Sequence, residues 1–153
     1  MKNTGAVCFL GETENRGEEL CRHIYSQVDF FLSSGACGFI FTADTEFGLM
    51  CARQVILRRR RQNGNRSEFI RLIAVIPYEE HICEKSEAFR DEYFDVLEKC
   101  DASLTFARDE QDYFQADFTQ AIIDLSDVVI CAEKSEYARL YASATGKKII
   151  GVC

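Results

Sequence analysis

The chain has 153 residues, 47% of them apolar and 28% charged, enough for one domain with its own core and too apolar for a disordered segment. Acidic residues outnumber basic ones by 25 to 18, and the net charge of −7 argues against generic binding to nucleic acid or to an anionic membrane. Eight cysteines occur without a C-x-x-C pair, which excludes zinc ribbons and thioredoxin-like motifs, and a chain this long has no need of a disulfide scaffold.

Six short apolar runs predict strands: Ala6 to Leu10, Gly38 to Thr42, Ile70 to Ile76, Ala102 to Ala107, Asp127 to Ala132 and Lys148 to Val152. Most are continuously apolar rather than alternating, the pattern of strands covered on both faces. The stretches between them have helical spacing. The stripes are Leu20, Ile24, Val28, Phe31 and Leu32; then Phe47, Cys51, Val55 and Ile56; then Phe89, Tyr93, Val96, Leu97 and Cys100. Phe114, Phe118, Ala121, Ile122 and Leu125 form the fourth, and Tyr137, Leu140, Tyr141 and Ala144 a short fifth. Gly35 and Gly146 are placed to stop the first and last helices. Asp112 with Gln115 reads as a capping box before the fourth.

Strand and helix alternate strictly, which predicts an α/β fold: one doubly wound domain over residues 1–153, with a mostly parallel six-stranded sheet and helices on both faces. Asn63-Gly64-Asn65 marks a loop rather than a domain boundary, and Pro77 ends the third strand. Ala6 to Leu10 is too short for a signal-peptide core, and no run approaches 18 uncharged apolar residues. With cysteines expected to be free, the expected compartment is a reducing cytoplasm, with no membrane partner.

In an open parallel sheet, ligands bind outside the carboxyl ends of the strands. The loops meeting there carry Glu12, Glu14, Asp44, Glu46, Glu79, Glu80, Asp109, Glu110, Glu133 and Glu136, against Arg16, Arg108 and Lys134. Gly11 is the one glycine on this rim, so no glycine-rich phosphate cradle exists. Glu46 and Glu136 read as first-turn acids that complement a helix dipole. As a cluster the acids would suit a divalent cation or a basic partner.

Ser34-Gly35, Phe39-Ile40, Leu72-Ile73-Ala74-Val75-Ile76-Pro77-Tyr78-Glu79, Tyr93 to Asp101 and Ile123-Asp124-Leu125-Ser126-Asp127 follow one another along the chain. In these segments the chain resembles the YpsA-like family of the SLOG superfamily, related to the DprA and Lonely Guy proteins. The resemblance implies a Rossmann-like fold with the first strand central, a strand order of 3-2-1-4-5-6 or a close variant, and a nucleotide-derived ligand. It maps the ligand site onto Gly11, Glu12, Thr13, Thr42, Ala43, Asp44, Pro77, Tyr78, Glu79, Lys134 and Ser135.

The family's ligand motifs are eroded. Its Gly-His-Arg becomes Gly11-Glu12-Thr13, and its Ser-Gly-Gly-Ala-x-Gly-x-Asp falls on Phe41 to Gly48 with the glycines and the aspartate lost. Its Arg-Asn-Arg falls on Phe118-Thr119-Gln120, and its late glycine-rich segment shortens to Glu133-Lys134-Ser135-Glu136. The Pro-Gly-Gly-x-Gly-Thr-x-x-Glu motif of the Lonely Guy phosphoribohydrolases is absent, so that activity is not carried over.

Arg58 to Arg61 sit where a last helical turn favours cations, with Arg53, Arg66 and Arg71 nearby; a nucleic-acid or partner patch is the alternative. His81 and Cys83 read as ordinary loop residues, or else as part of a metal or thiolate site. His23 is expected on an exposed helix face. Cys8, Cys131 and Cys153 fall on strands, and Cys51 and Cys100 on apolar stripes. The expected function is a non-catalytic domain that binds or senses a nucleotide-related small ligand, with no cofactor or metal assigned. The alternatives are a nucleotide hydrolase, with Glu79 or Glu80 as general base and Ser135 or Lys134 positioning substrate, and a homo-oligomeric interaction module.

Overall fold

The computed structural model describes residues 5–61 and 70–152. The expectations on Asn63-Gly64-Asn65, Arg66 and Cys153 lie outside them. Six strands form one parallel sheet: β1 (Ala6–Leu10), β2 (Gly38–Thr42), β3 (Arg71–Ile76), β4 (Ala102–Thr105), β5 (Val128–Cys131) and β6 (Lys148–Gly151). Five helices alternate with them: α1 (Glu18–Ser33), α2 (Glu46–Arg60), α3 (Glu87–Glu98), α4 (Gln115–Asp124) and α5 (Glu136–Ala144).

The order across the sheet is β4-β3-β2-β1-β5-β6. This corrects the expected placement of β4 beside β1. The reason lies in side-chain chemistry. A strand next to β1 is covered on both faces, which suits Val128-Val129-Ile130-Cys131, whose residues are all buried. Ala102-Ser103-Leu104-Thr105 is less apolar, takes the edge, and leaves all four residues exposed. The expectation that this run is covered on both faces therefore fails, and its last two residues, Phe106 and Ala107, bond Ile76 and Pro77 beyond the strand.

Successive strand residues face opposite layers. Val7, Phe9, Phe39, Phe41, Leu72, Ala74 and Ile130 pack against α1, α2 and α3. Cys8, Leu10, Ile40, Val75, Val129 and Cys131 pack against α4 and α5. The α1 and α2 stripes are buried mainly as read from their spacing. Gly35 and Gly146 follow the ends of α1 and α5 at φ +100° and +75°, the left-handed stops expected of them.

Two helix readings are corrected. α5 buries Ala138 and Ala142, while Tyr137 and Ala144 are exposed and Leu140 is 71% exposed. Small residues allow α5 to lie close to the sheet; Tyr137 and Leu140 turn outward, while Tyr141 of the expected stripe stays half-buried against the core. In α4, Phe114 and Leu125 are exposed at the ends of the stripe. The capping box also fails, because α4 begins at Gln115 behind Phe114, with no side-chain cap. The aspartate that caps is Asp109, which accepts from the Asp112 amide at 3.0 Å and closes a 3₁₀ turn over Glu110–Asp112.

α2 sits on β2 through Gly48, which sequence reading passed over. A Cβ there would lie 1.9 Å from the Thr42 carbonyl oxygen, so only glycine permits this approach.

Candidate functional site

The chain leaves β1 toward β2, β3 and β4, then returns to the opposite side of β1 as β5. The switch point, where doubly wound folds hold ligands, therefore lies between the loops after β1 and β5. Here those loops are joined. The Glu12 amide donates to the Lys134 carbonyl and the Lys134 amide to the Glu12 carbonyl, each at 3.2 Å, in a two-residue antiparallel bridge. The Thr13 hydroxyl adds a bond to Glu133 Oε1 at 3.1 Å. Gly11, at φ +107°, makes the approach possible, since a Cβ there would lie 2.9 Å from the Ser135 Cβ.

The bridge has openings on either side. A cavity of about 300 Å³ on the α4/α5 side is lined by Gly11, Lys134 and Ser135, with Gln115 and Thr119 of α4 and Tyr137 of α5 among its other walls. The N-termini of α4 and α5 reach it without side-chain caps, so backbone amides are available there. Asp117 and Glu136 in their first turns complement those dipoles and so offset the positive field that would draw an anion. The Ser135 hydroxyl is already engaged, donating to the Ala132 carbonyl and accepting from Arg139 Nε.

On the other side a cleft of about 440 Å³ is lined by Glu12, Glu14, Asp44, Glu46 and Glu84 against Lys85 and Lys134, with Thr13, Thr45 and Ser86. Five carboxylates to two lysines make it repel phosphate. Lys134 Nζ is 3.3 Å from Glu14, and Arg16 pairs with Glu46. The N-terminus of α2 is not free for an anion, because the Thr45 hydroxyl accepts from the Gly48 amide at 2.9 Å.

Asp44 is the unusual member of this cleft. Its Oδ1 is sealed from solvent with no hydrogen-bond partner. Burial pushes its carboxyl above the ordinary carboxylate range, against the opposing pull of its own backbone amide and of Lys85.

The remaining candidates support rather than line these openings. Thr42 and Ala43 are buried, and the Ala43 amide donates to the Val75 carbonyl at 3.0 Å. Pro77 and Tyr78 are buried at the end of β3, with the Tyr78 ring against Tyr113 at 5.5 Å. Glu79 and Glu80 are exposed at the start of a 3₁₀ turn over Glu79–Glu84 and line neither opening. The structure thus gathers Gly11, Glu12, Thr13, Asp44, Lys134 and Ser135 and leaves Glu79 and Glu80 apart. Sequence reading gave no site role to Gln115, Glu84, Lys85 and Ser86, and met Thr119 only as a place where the family's ligand motif is lost. Ser86 carried a signal, since it caps α3 by accepting from the Phe89 amide at 3.2 Å.

His81 is corrected from loop residue to core residue, 3% exposed, while Cys83 and His23 are exposed. Cys8, Cys51 and Cys131 are buried, Cys37 is exposed, and no disulfide joins two of the described cysteines. Burial pushes the Cys8 and Cys100 thiols up to about 12, so neither is a nucleophile at neutral pH. Among the described residues, no group of three or more His, Cys, Asp or Glu side chains is arranged to hold a metal ion.

The arginine run acts as a set of staples. Arg58 pairs with Asp29 at 2.7 Å, and Arg61 bonds the Tyr25 hydroxyl. Arg59 binds Asp101 at 2.8 Å and the Lys99 carbonyl at 2.7 Å.

The fold and the site define a doubly wound α/β domain whose switch point is closed by main-chain pairing and whose rim is acidic. Compared with known proteins, the chain matches no family model and no curated protein. No helix among the described residues is long and apolar enough to cross a membrane.

Proposed function

We propose that this chain is a non-catalytic binding or sensor domain of the YpsA-like SLOG type, taking a nucleotide-related small molecule with little or no phosphate. The observation that carries this reading is the Glu12–Lys134 bridge, which fills the place where a doubly wound fold holds a pyrophosphate. The acidic cleft and the capped α2 support it. The engaged Ser135 hydroxyl and the outlying Glu79 and Glu80 favour binding over hydrolysis. Described cysteines that form no disulfide with one another favour a cytoplasmic setting.

A thermal-shift series with bases, nucleosides, nucleotides and divalent ions tests the reading. Bases or nucleosides raise the melting temperature. Strong stabilisation by a nucleoside di- or triphosphate without metal overturns it.

A second reading, self-association, has one observation in its favour. β4 is an uncharged edge strand that carries Leu104, 50% exposed, with Phe106, 37% exposed, just beyond its end. A monomer by light scattering would reject it.

A further inference from the structure

Among the described residues, two side chains bury polar atoms without a hydrogen-bond partner: Asp44 at Oδ1 and His81 at both Nδ1 and Nε2. His81 is the more enclosed, at 3% exposure. Its ring is held edge-on by Tyr78, with centroids 6.2 Å apart, and by Tyr93 of α3, at 5.3 Å. Tyr78 continues to Tyr113 at 5.5 Å, and Tyr113 to Phe118 of α4 at 5.5 Å. An aromatic file therefore runs from α3 to α4 across the carboxyl end of β3. His81 is its one member able to take a proton near neutral pH.

The groups around the ring do not welcome that proton. Beside it in sequence, Glu84 favours the imidazolium and Lys85 opposes it. From α3 come the Tyr93 phenol and Arg90, whose Nη1 holds the Lys85 carbonyl at 2.8 Å. From the end of β3 comes the Tyr78 phenol, with Asp44, Glu80, Glu84 and Glu110 in its field. Glu79 and Cys100 act on Tyr93. None of these groups accepts from either ring nitrogen. Burial, then Lys85, hold the imidazole below its ordinary 6.5.

We propose that His81 is a proton-operated latch: in mildly acidic solution its ring takes a proton from solvent, leaves the slot between Tyr78 and Tyr93, and releases the Glu79–Glu84 turn. A buried imidazolium without an acceptor is strongly disfavoured, whereas the released ring reaches water. Tyr78 moves with the turn, so the crevice rim loosens while the sheet beneath it stays intact. The latch is independent of which ligand the crevice takes.

Hydrogen exchange over residues 78–86, corrected for intrinsic rates, reads the release directly. Between about pH 7.5 and about pH 5.5, protection there falls by up to roughly tenfold in the wild type, the ceiling for release of one imidazole, while β1 and β5 keep theirs. In His81→Phe, protection stays level across the same range. Unchanged protection in the wild type, or an equal loss in the variant, overturns the latch. Should His81→Phe not fold, His81→Leu serves in its place. An imidazole NMR titration of the wild type decides independently. A His81 midpoint below the ordinary 6.5 supports the latch, and one at or above it overturns the latch.

Discussion

Glu12 and Lys134 lie 122 positions apart and exchange two main-chain hydrogen bonds of 3.2 Å, closing the gap between the loops that follow β1 and β5. In a doubly wound fold this gap is the usual ligand crevice. The bridge splits it into a cavity with free helix amides and a cleft dominated by carboxylates. Neither half offers the glycine-lined, cationic setting that a phosphate chain needs.

The closeness of the bridged loops rests on Gly11, and that of α2 to β2 on Gly48. Gly48→Ala forces a methyl to within 1.9 Å of the Thr42 carbonyl, a backbone atom with nowhere to go. A loss of about 3 kcal/mol or more is expected in denaturant unfolding. Gly11→Ala combines a 2.9 Å contact with positive φ and costs about 1–3 kcal/mol. Gly146→Ala meets nothing within 4 Å and suffers from φ +75° alone, at about 1 kcal/mol. A different ranking would contradict the packing described.

The Asp44 carboxyl gives a pH dependence of definite sign. Its folded value is raised above the ordinary 3.8, so the folded state takes up this proton more readily than the unfolded state. Acidification through the raised value toward 3.8 therefore favours folding at this group. Asp44→Asn removes the charge and the dependence together. The variant is at least as stable as the wild type at neutral pH, and its advantage shrinks as the pH falls through that window. Melting curves across the range check this, and a variant that loses ground at neutral pH contradicts it.

The inverted face of α5 separates two substitutions. Leu140→Lys, at a 71% exposed position, changes stability by no more than about 0.5 kcal/mol. Ala142→Leu, at a fully buried one, overpacks the helix against its neighbours and costs about 1–3 kcal/mol. Chemical denaturation of the two variants reads the difference.

What could be read from the chain follows from how local each signal is. β1, β2, β3 and β5 declare themselves as unbroken apolar runs, because both of their faces are covered. β4 misleads, since Ala102-Ser103-Leu104-Thr105 is apolar enough to resemble an inner strand and polar enough to live at an edge. α5 misleads because its buried side is alanine, the residue that weighs least in an apolar stripe. The acidity of the crevice was legible from Glu12, Asp44 and Glu46 in their loops. The Glu12–Lys134 bridge was not, since main-chain pairing across 122 positions leaves no side-chain pattern. The burial of His81 and of the Asp44 Oδ1 was equally hidden, because polar loop residues ordinarily face water.

The most direct test of the central claim is the affinity of one nucleoside and its triphosphate for the full chain, measured by titration calorimetry without metal. A switch point closed by Glu12 and Lys134 and rimmed by carboxylates predicts that the nucleoside binds at least as tightly as its triphosphate. A triphosphate that binds roughly a hundredfold tighter, about 2.7 kcal/mol, would contradict the account.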